Sequence, residues 1–94
     1  PIRVFLVDDH GVFRESFRIA LEHQPEVVVV GEATSARDAY ALLERCHADV
    51  AVVDLMLKDT DGVSMLRELR RRKIRVRSLL LSRHSPQLFV RDAL

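Results

Sequence analysis

Four short apolar runs, each separated from the next by a segment of helical periodicity, constrain the fold of this chain more than any other feature. The runs are Ile2–Val7, Val27–Ala33, Val50–Asp54 and Val76–Ser82, the last broken only by Arg77. Runs this short, rich in β-branched residues and bounded by turn signals, read as strands buried on both faces. Between them, apolar residues recur at helical spacing. Val12, Phe13, Phe17, Ala20 and Leu21 define a helix over Val12–Glu22, stopped by Gln24-Pro25. Thr34-Ser35 offers cap hydroxyls to a second helix, Ala36–Cys46, whose core side is Ala39, Tyr40, Leu42 and Leu43. A third, Val63–Arg72, turns Met65, Leu66 and Leu69 inward. Ser85-Pro86 then predicts the start of a fourth helix carrying Leu88, Phe89, Val90 and Leu94.

Strand and helix thus alternate with short connections, which predicts a parallel sheet with helices on both faces. Right-handed crossovers favour an α/β, flavodoxin-like, three-layer α/β/α fold with strand order 2-1-3-4. Such a sheet would leave Ser78–Leu81 as a bare apolar edge and one helical layer short of a member. The expectation is therefore a single incomplete domain over residues 1–94 whose last βα unit is missing. A bare edge of that kind would drive a homodimer or a strand-exchanged dimer.

Composition narrows the class. With 48% apolar and 31% charged residues the chain reads as globular. Its net charge of +1 gives no global pull toward nucleic acid or membrane. The cationic run Arg70–Lys73 is expected to complement a helix dipole rather than to bind DNA. Cys46 is the only cysteine, so no internal disulfide forms, and a reducing, cytoplasmic location is expected. No apolar stretch approaches the roughly 20 residues a membrane span needs, and PIRVFLVDDH reads as a strand rather than a signal peptide.

Burying a carboxylate is costly, so a buried strand tends to end where its first acid emerges. That places Asp54 at the carboxyl end of the third strand and Asp8-Asp9 at the end of the first. In the proposed order these strands are neighbours, and their acids converge where open α/β sheets hold ligands. Crowded carboxylates raise a pKa or recruit a cation, and an oxygen-only donor set suits Mg²⁺. His10, His23, His47 and His84 are scattered and do not favour zinc. A carboxylate beside Mg²⁺ can attack phosphorus and become an aspartyl phosphate. Ser82, ending the fourth strand, could donate a hydrogen bond to a phosphoryl oxygen. The residues alone leave phosphoryl chemistry and a structural acid cluster both open.

The segment FLVDDHGVFRESFRIALEHQPEVVVVGEA resembles the opening half of response-regulator receiver domains of the NarL/FixJ-like subfamily, the LuxR type. Asp8-Asp9, Asp54-Leu55, Asp61-Gly62 and Leu81-Ser82 match that family's motifs at its spacings. The resemblance implies that Asp54 accepts a phosphoryl group from a sensor histidine kinase. It implies that Asp9, Asp54 and the Met56 carbonyl bind Mg²⁺, that Asp8 acts through a water, and that Ser82 is the switch hydroxyl. It further implies a helix-turn-helix output domain whose DNA binding and dimerisation the phosphoryl group controls.

The pattern departs from the family in three places. The fifth strand, with its lysine and aromatic switch residue, is expected to be missing; Lys58 stands where proline is usual; and Arg83 follows the switch hydroxyl where a smaller residue is common. These departures favour, as an alternative, a degenerate receiver acting through protein contacts alone. A Mg²⁺-dependent phosphatase would carry a second acid two residues past its nucleophile, and Met56 occupies that position.

Overall fold

Each apolar run forms the strand it predicts. The computed structural model describes residues 1–82 and, for the backbone only, residues 88–92. In chain order the elements are β1 (Ile2–Val7), α1 (Gly11–Glu22), β2 (Val27–Ala33), α2 (Ala36–Leu43), β3 (Val50–Asp54), α3 (Gly62–Arg71), β4 (Arg77–Leu81) and β5 (Leu88–Asp92). The sheet order is β2-β1-β3-β4-β5. Its first four strands are parallel, as expected for a flavodoxin-like α/β fold.

The two faces of the sheet are covered unequally. On one, Phe5, Val7, Ala51, Val53 and Leu80 pack against Ala39 and Leu43 of α2 and Met65 and Leu69 of α3, forming the main core. On the other, Val4, Leu6 and Val52 meet Phe17 and Leu21 of α1. No residue of α1 is buried, and Val12, one of the apolar positions that mark the helix, is 75% exposed. The cause is coverage, since α1 is the one helix of the described residues packed on that face. Leu42, expected inward, is 43% exposed because α2 stops at Leu43 and turns only Ala36, Ala39 and Leu43 to the sheet. Tyr40 is half-buried beneath the Arg72 guanidinium, 4.3 Å from its ring centre.

The last element departs from expectation. Residues 88–92 form a strand, not a helix, and pair antiparallel with β4 in the register Leu81↔Leu88 to Arg77↔Asp92. The helix-opening pair Ser85-Pro86, together with Arg83 and Leu94, lies outside the described residues. An unpaired strand edge is a row of unmet backbone donors and acceptors. Phe89 and Val90 are strand-favouring types within reach, and an antiparallel partner needs only a short connection. Tertiary demand therefore overrides the local helix signal. The β4 edge expected to be bare is occupied by the chain's own backbone, which removes the physical reason given above for strand exchange.

Helix α3 ends in a left-handed residue that is not glycine: Lys73 has φ 60°. The Lys73 amide donates to the Arg70 carbonyl and the Ile74 amide to Leu69, the pattern that closes many helices and here launches β4. One turn earlier, Glu68 accepts hydrogen bonds from the side chains of Arg71 (2.6 Å) and Arg72 (2.7 Å). Those guanidinium bonds lower its carboxyl from an ordinary 4.5 to about 2. A carboxyl lower in the folded state adds stability above its unfolded pKa and loses it as pH falls through the folded one. The contribution of Glu68 and its two arginines should thus be complete above about pH 4.5 and decline toward pH 2. An NMR titration of the Glu68 carboxyl with its midpoint near 4.5 would contradict this.

Candidate metal centre

Strand β1 is buried through Val7, and the chain emerges at Asp8, whose amide still donates to the Ala33 carbonyl of β2 (3.1 Å). The acid is held in a tight turn: Asp8 Oδ1 accepts the His10 amide at 2.7 Å. His10 then caps α1, its Nδ1 accepting the Phe13 amide (3.3 Å). From the first turns of α1, Arg14 donates to the Asp8 carbonyl (2.7 Å) and to Glu32 (3.0 Å), bracing the end of β1 against β2. Sequence reading did not single out Arg14, because its partners lie on other elements.

Strand β3 delivers the third acid. Val53 pairs with Val7, so Asp54 lies beside the Asp8-Asp9 pair. Asp54 is 3% exposed and Asp8 6%, while Asp9 is half-buried. Carboxylate oxygens from the three lie within 4.8 Å of one another. Among the described residues this is the one such acid cluster, and no histidine or cysteine joins it. Three acids this close, two of them buried, repel unless a cation offsets them. Their all-oxygen donor set fits Mg²⁺, which binds through few carboxylates and keeps several waters.

The loop after β3 is built from short internal contacts. Asp54 Oδ1 accepts the Met56 amide (3.2 Å), and Leu57 donates to the Thr60 carbonyl (3.0 Å). Met56 and Asp61 form an isolated bridge. Asp61 caps α3 by accepting the Ser64 amide (2.7 Å), so Asp61-Gly62 is the helix-launching turn the sequence implied. Lys58 is exposed on this loop. On the far side of Asp54, β4 pairs Leu81 with it, and Leu81 accepts the Leu55 amide (2.9 Å). Ser82 follows, half-buried, at the same pole. The structure thus gathers Asp8, Asp9, Asp54, Met56 and Ser82 at one end of the sheet. Two clefts, of about 500 and 720 Å³, open beside Cys46 and beside Arg18 and include neither Asp9 nor Asp54.

Comparison with known proteins agrees with this geometry. Residues 4–94 match the response regulator receiver domain family. The DNA-binding transcriptional activator DevR/DosR of Mycobacterium tuberculosis is 39% identical over 93 residues, covering 99% of this chain and 43% of that protein. The transcriptional regulatory protein DegU of Brevibacillus brevis is 32% identical over 93 residues, covering 99% of this chain and 39% of that protein. The chain therefore spans less than half the length of these two relatives. Among solved structures, the receiver domain of the response regulator NarL from Mycobacterium tuberculosis superposes with a TM-score of 0.82 at 36% identity, covering 89% of this chain and 68% of that one. With its parallel sheet, its acids at the strand ends and these relatives, the chain belongs to the receiver-domain family of two-component response regulators, transcriptional regulators of the NarL/LuxR type among them.

Proposed function

We propose that Asp54 accepts a phosphoryl group from the phosphohistidine of a sensor kinase, with Mg²⁺ held by Asp9, Asp54 and the Met56 carbonyl. The observation that carries this reading is the convergence of three acids within 4.8 Å, with Asp54 buried among them. A carboxylate oxygen of Asp54 forms the new bond to phosphorus, the phosphorus–nitrogen bond breaks, and the imidazole keeps the electron pair. Mg²⁺ supplies positive charge that offsets the acids and the phosphoryl oxygens. Asp8, one oxygen of which already accepts the His10 amide, acts through a water. Ser82 donates its hydroxyl to a phosphoryl oxygen and reports the modification to the β4 side of the domain.

The domain turns over no free substrate in this reading. It is a cytoplasmic switch that governs dimerisation and, through an attached helix-turn-helix domain, DNA binding. The regulators DevR/DosR and DegU support that output class. Among the described residues no helix is long and apolar enough to cross a membrane.

Incubating the full-length protein with acetyl phosphate and Mg²⁺ should add one phosphoryl group by intact mass, and Asp54→Ala should abolish the gain. No gain in the unsubstituted protein, with kinase binding retained, would replace this reading by the phosphorylation-independent interaction module.

A further inference from the structure

The loop carrying the Met56 carbonyl is tied down by a residue that touches none of the site acids. Asp59 reaches across to α2, its Oδ1 accepting the Ala36 amide (3.2 Å) and its Oδ2 the Arg37 amide (3.0 Å). Among the described residues these are the only hydrogen bonds from residues 56–60 to a distant element; the other long-range hold is Leu57, buried in the core. Helix α2 is an unyielding anchor, with Ala36, Ala39 and Leu43 buried at 1%, 0% and 4% exposure.

The capping of α2 is divided in an unusual way. A helix of this size is ordinarily capped by its own preceding residue. Here Ser35 takes the Asp38 amide (3.1 Å), while the first two amides are satisfied by a carboxylate more than 20 residues away. Partial burial pushes the Asp59 carboxyl up, but the Arg37 and Ala36 amides outweigh it and leave it below the usual carboxylate range. The helix dipole favours the same ionised form. No proline restricts the backbone of residues 55–61, and Lys58 stands where the family usually has proline.

We infer that Asp59 is a positioning residue for the divalent cation: its two-pronged grip on the first turn of α2 holds the Met56 carbonyl where it can ligate the metal. This rests on the reading of Met56 as a ligand given above. Residues that orient a metal's ligands without touching the ion commonly change affinity 10- to 100-fold when removed.

The test compares Asp59→Ala, Asp59→Asn and Ser35→Ala in the full-length protein. Mg²⁺ affinity is read by calorimetry, and amide exchange at residues 56–61 is read without metal. Asp59→Ala should weaken Mg²⁺ binding about tenfold and accelerate exchange across the loop. Asp59→Asn, which keeps one acceptor oxygen, should recover most of both. Ser35→Ala removes the other cap of the same helix yet leaves the grip intact, so it should lower stability while sparing affinity and loop exchange. Unchanged Mg²⁺ affinity in Asp59→Ala, or an equal loss in Ser35→Ala, would overturn the inference. Failure of the unsubstituted protein to bind Mg²⁺ would overturn the metal-site reading and this inference with it.

Discussion

Replacing Asp54 with Asn should raise the melting temperature of the metal-free protein, against the usual outcome of substituting a buried residue. The carboxylate oxygens of Asp8, Asp9 and Asp54 lie within 4.8 Å of each other, and two of these residues are less than 10% exposed. At that spacing and an effective dielectric near 20, like charges repel by about 3 kcal/mol per pair. Hydrogen bonds such as that from the Met56 amide to Asp54 Oδ1 offset part of this, and Asn retains the accepting oxygen. A net gain of about 1–2 kcal/mol corresponds to roughly 5–10 °C for a domain of this size. With the proposed metal site, millimolar Mg²⁺ should reverse the order, because binding would stabilise only the protein that retains Asp54. Thermal unfolding in EDTA and then in Mg²⁺ measures both effects. A melting temperature lowered by Asp54→Asn in EDTA would mean that the three acids do not strain the fold.

The second large effect falls on Gly62, the first residue of α3. A Cβ there would lie 2.8 Å from Leu80 Cδ2, 3.0 Å from the Asp54 carbonyl and 3.2 Å from Leu55 Cα. Leu80 is 2% exposed and the other two atoms are backbone, so none of the three yields cheaply. Overpacking of this kind costs about 1–3 kcal/mol, and Gly62→Ala should fall at the upper end. Because the clash presses on the end of β3, the same substitution should also weaken Mg²⁺ binding. Gly11→Ala is the matched control: it too is the first residue of a helix, and nothing lies within 4 Å of the added carbon. Urea unfolding should therefore separate the two variants by about 2 kcal/mol or more. Equal stability would show that the crowding at Gly62 relaxes freely.

Much of this fold was legible because strands buried on both faces spell continuous apolar runs. β1 and β3 occupy the expected residues and the acids at their ends lie together, whereas β2, expected to be buried, is an edge strand with only Ala33 buried and Val28 exposed. Helical periodicity was a weaker guide. It placed Met65, Leu66 and Leu69 correctly, but it put Leu42 inward, where it is 43% exposed. An apolar spacing identifies the face a helix offers, not whether a neighbour covers it. The strand at residues 88–92 was unreadable locally, since Ser85-Pro86 is a sound helix opener and the competing demand came from β4. Asp59 was unreadable for the same reason: its partners, Ala36 and Arg37, stand more than 20 positions earlier in the chain.

The antiparallel pairing of β5 with β4 carries a kinetic consequence. Any additional parallel strand seeking a place beside β4 meets a seat already taken and must evict five paired residues to claim it. Insertion of a parallel strand beside β4 is thus a displacement reaction, gated by how often β5 peels away, whereas among the described residues no strand pairs with the outer edge of β2 and approach there carries no such toll.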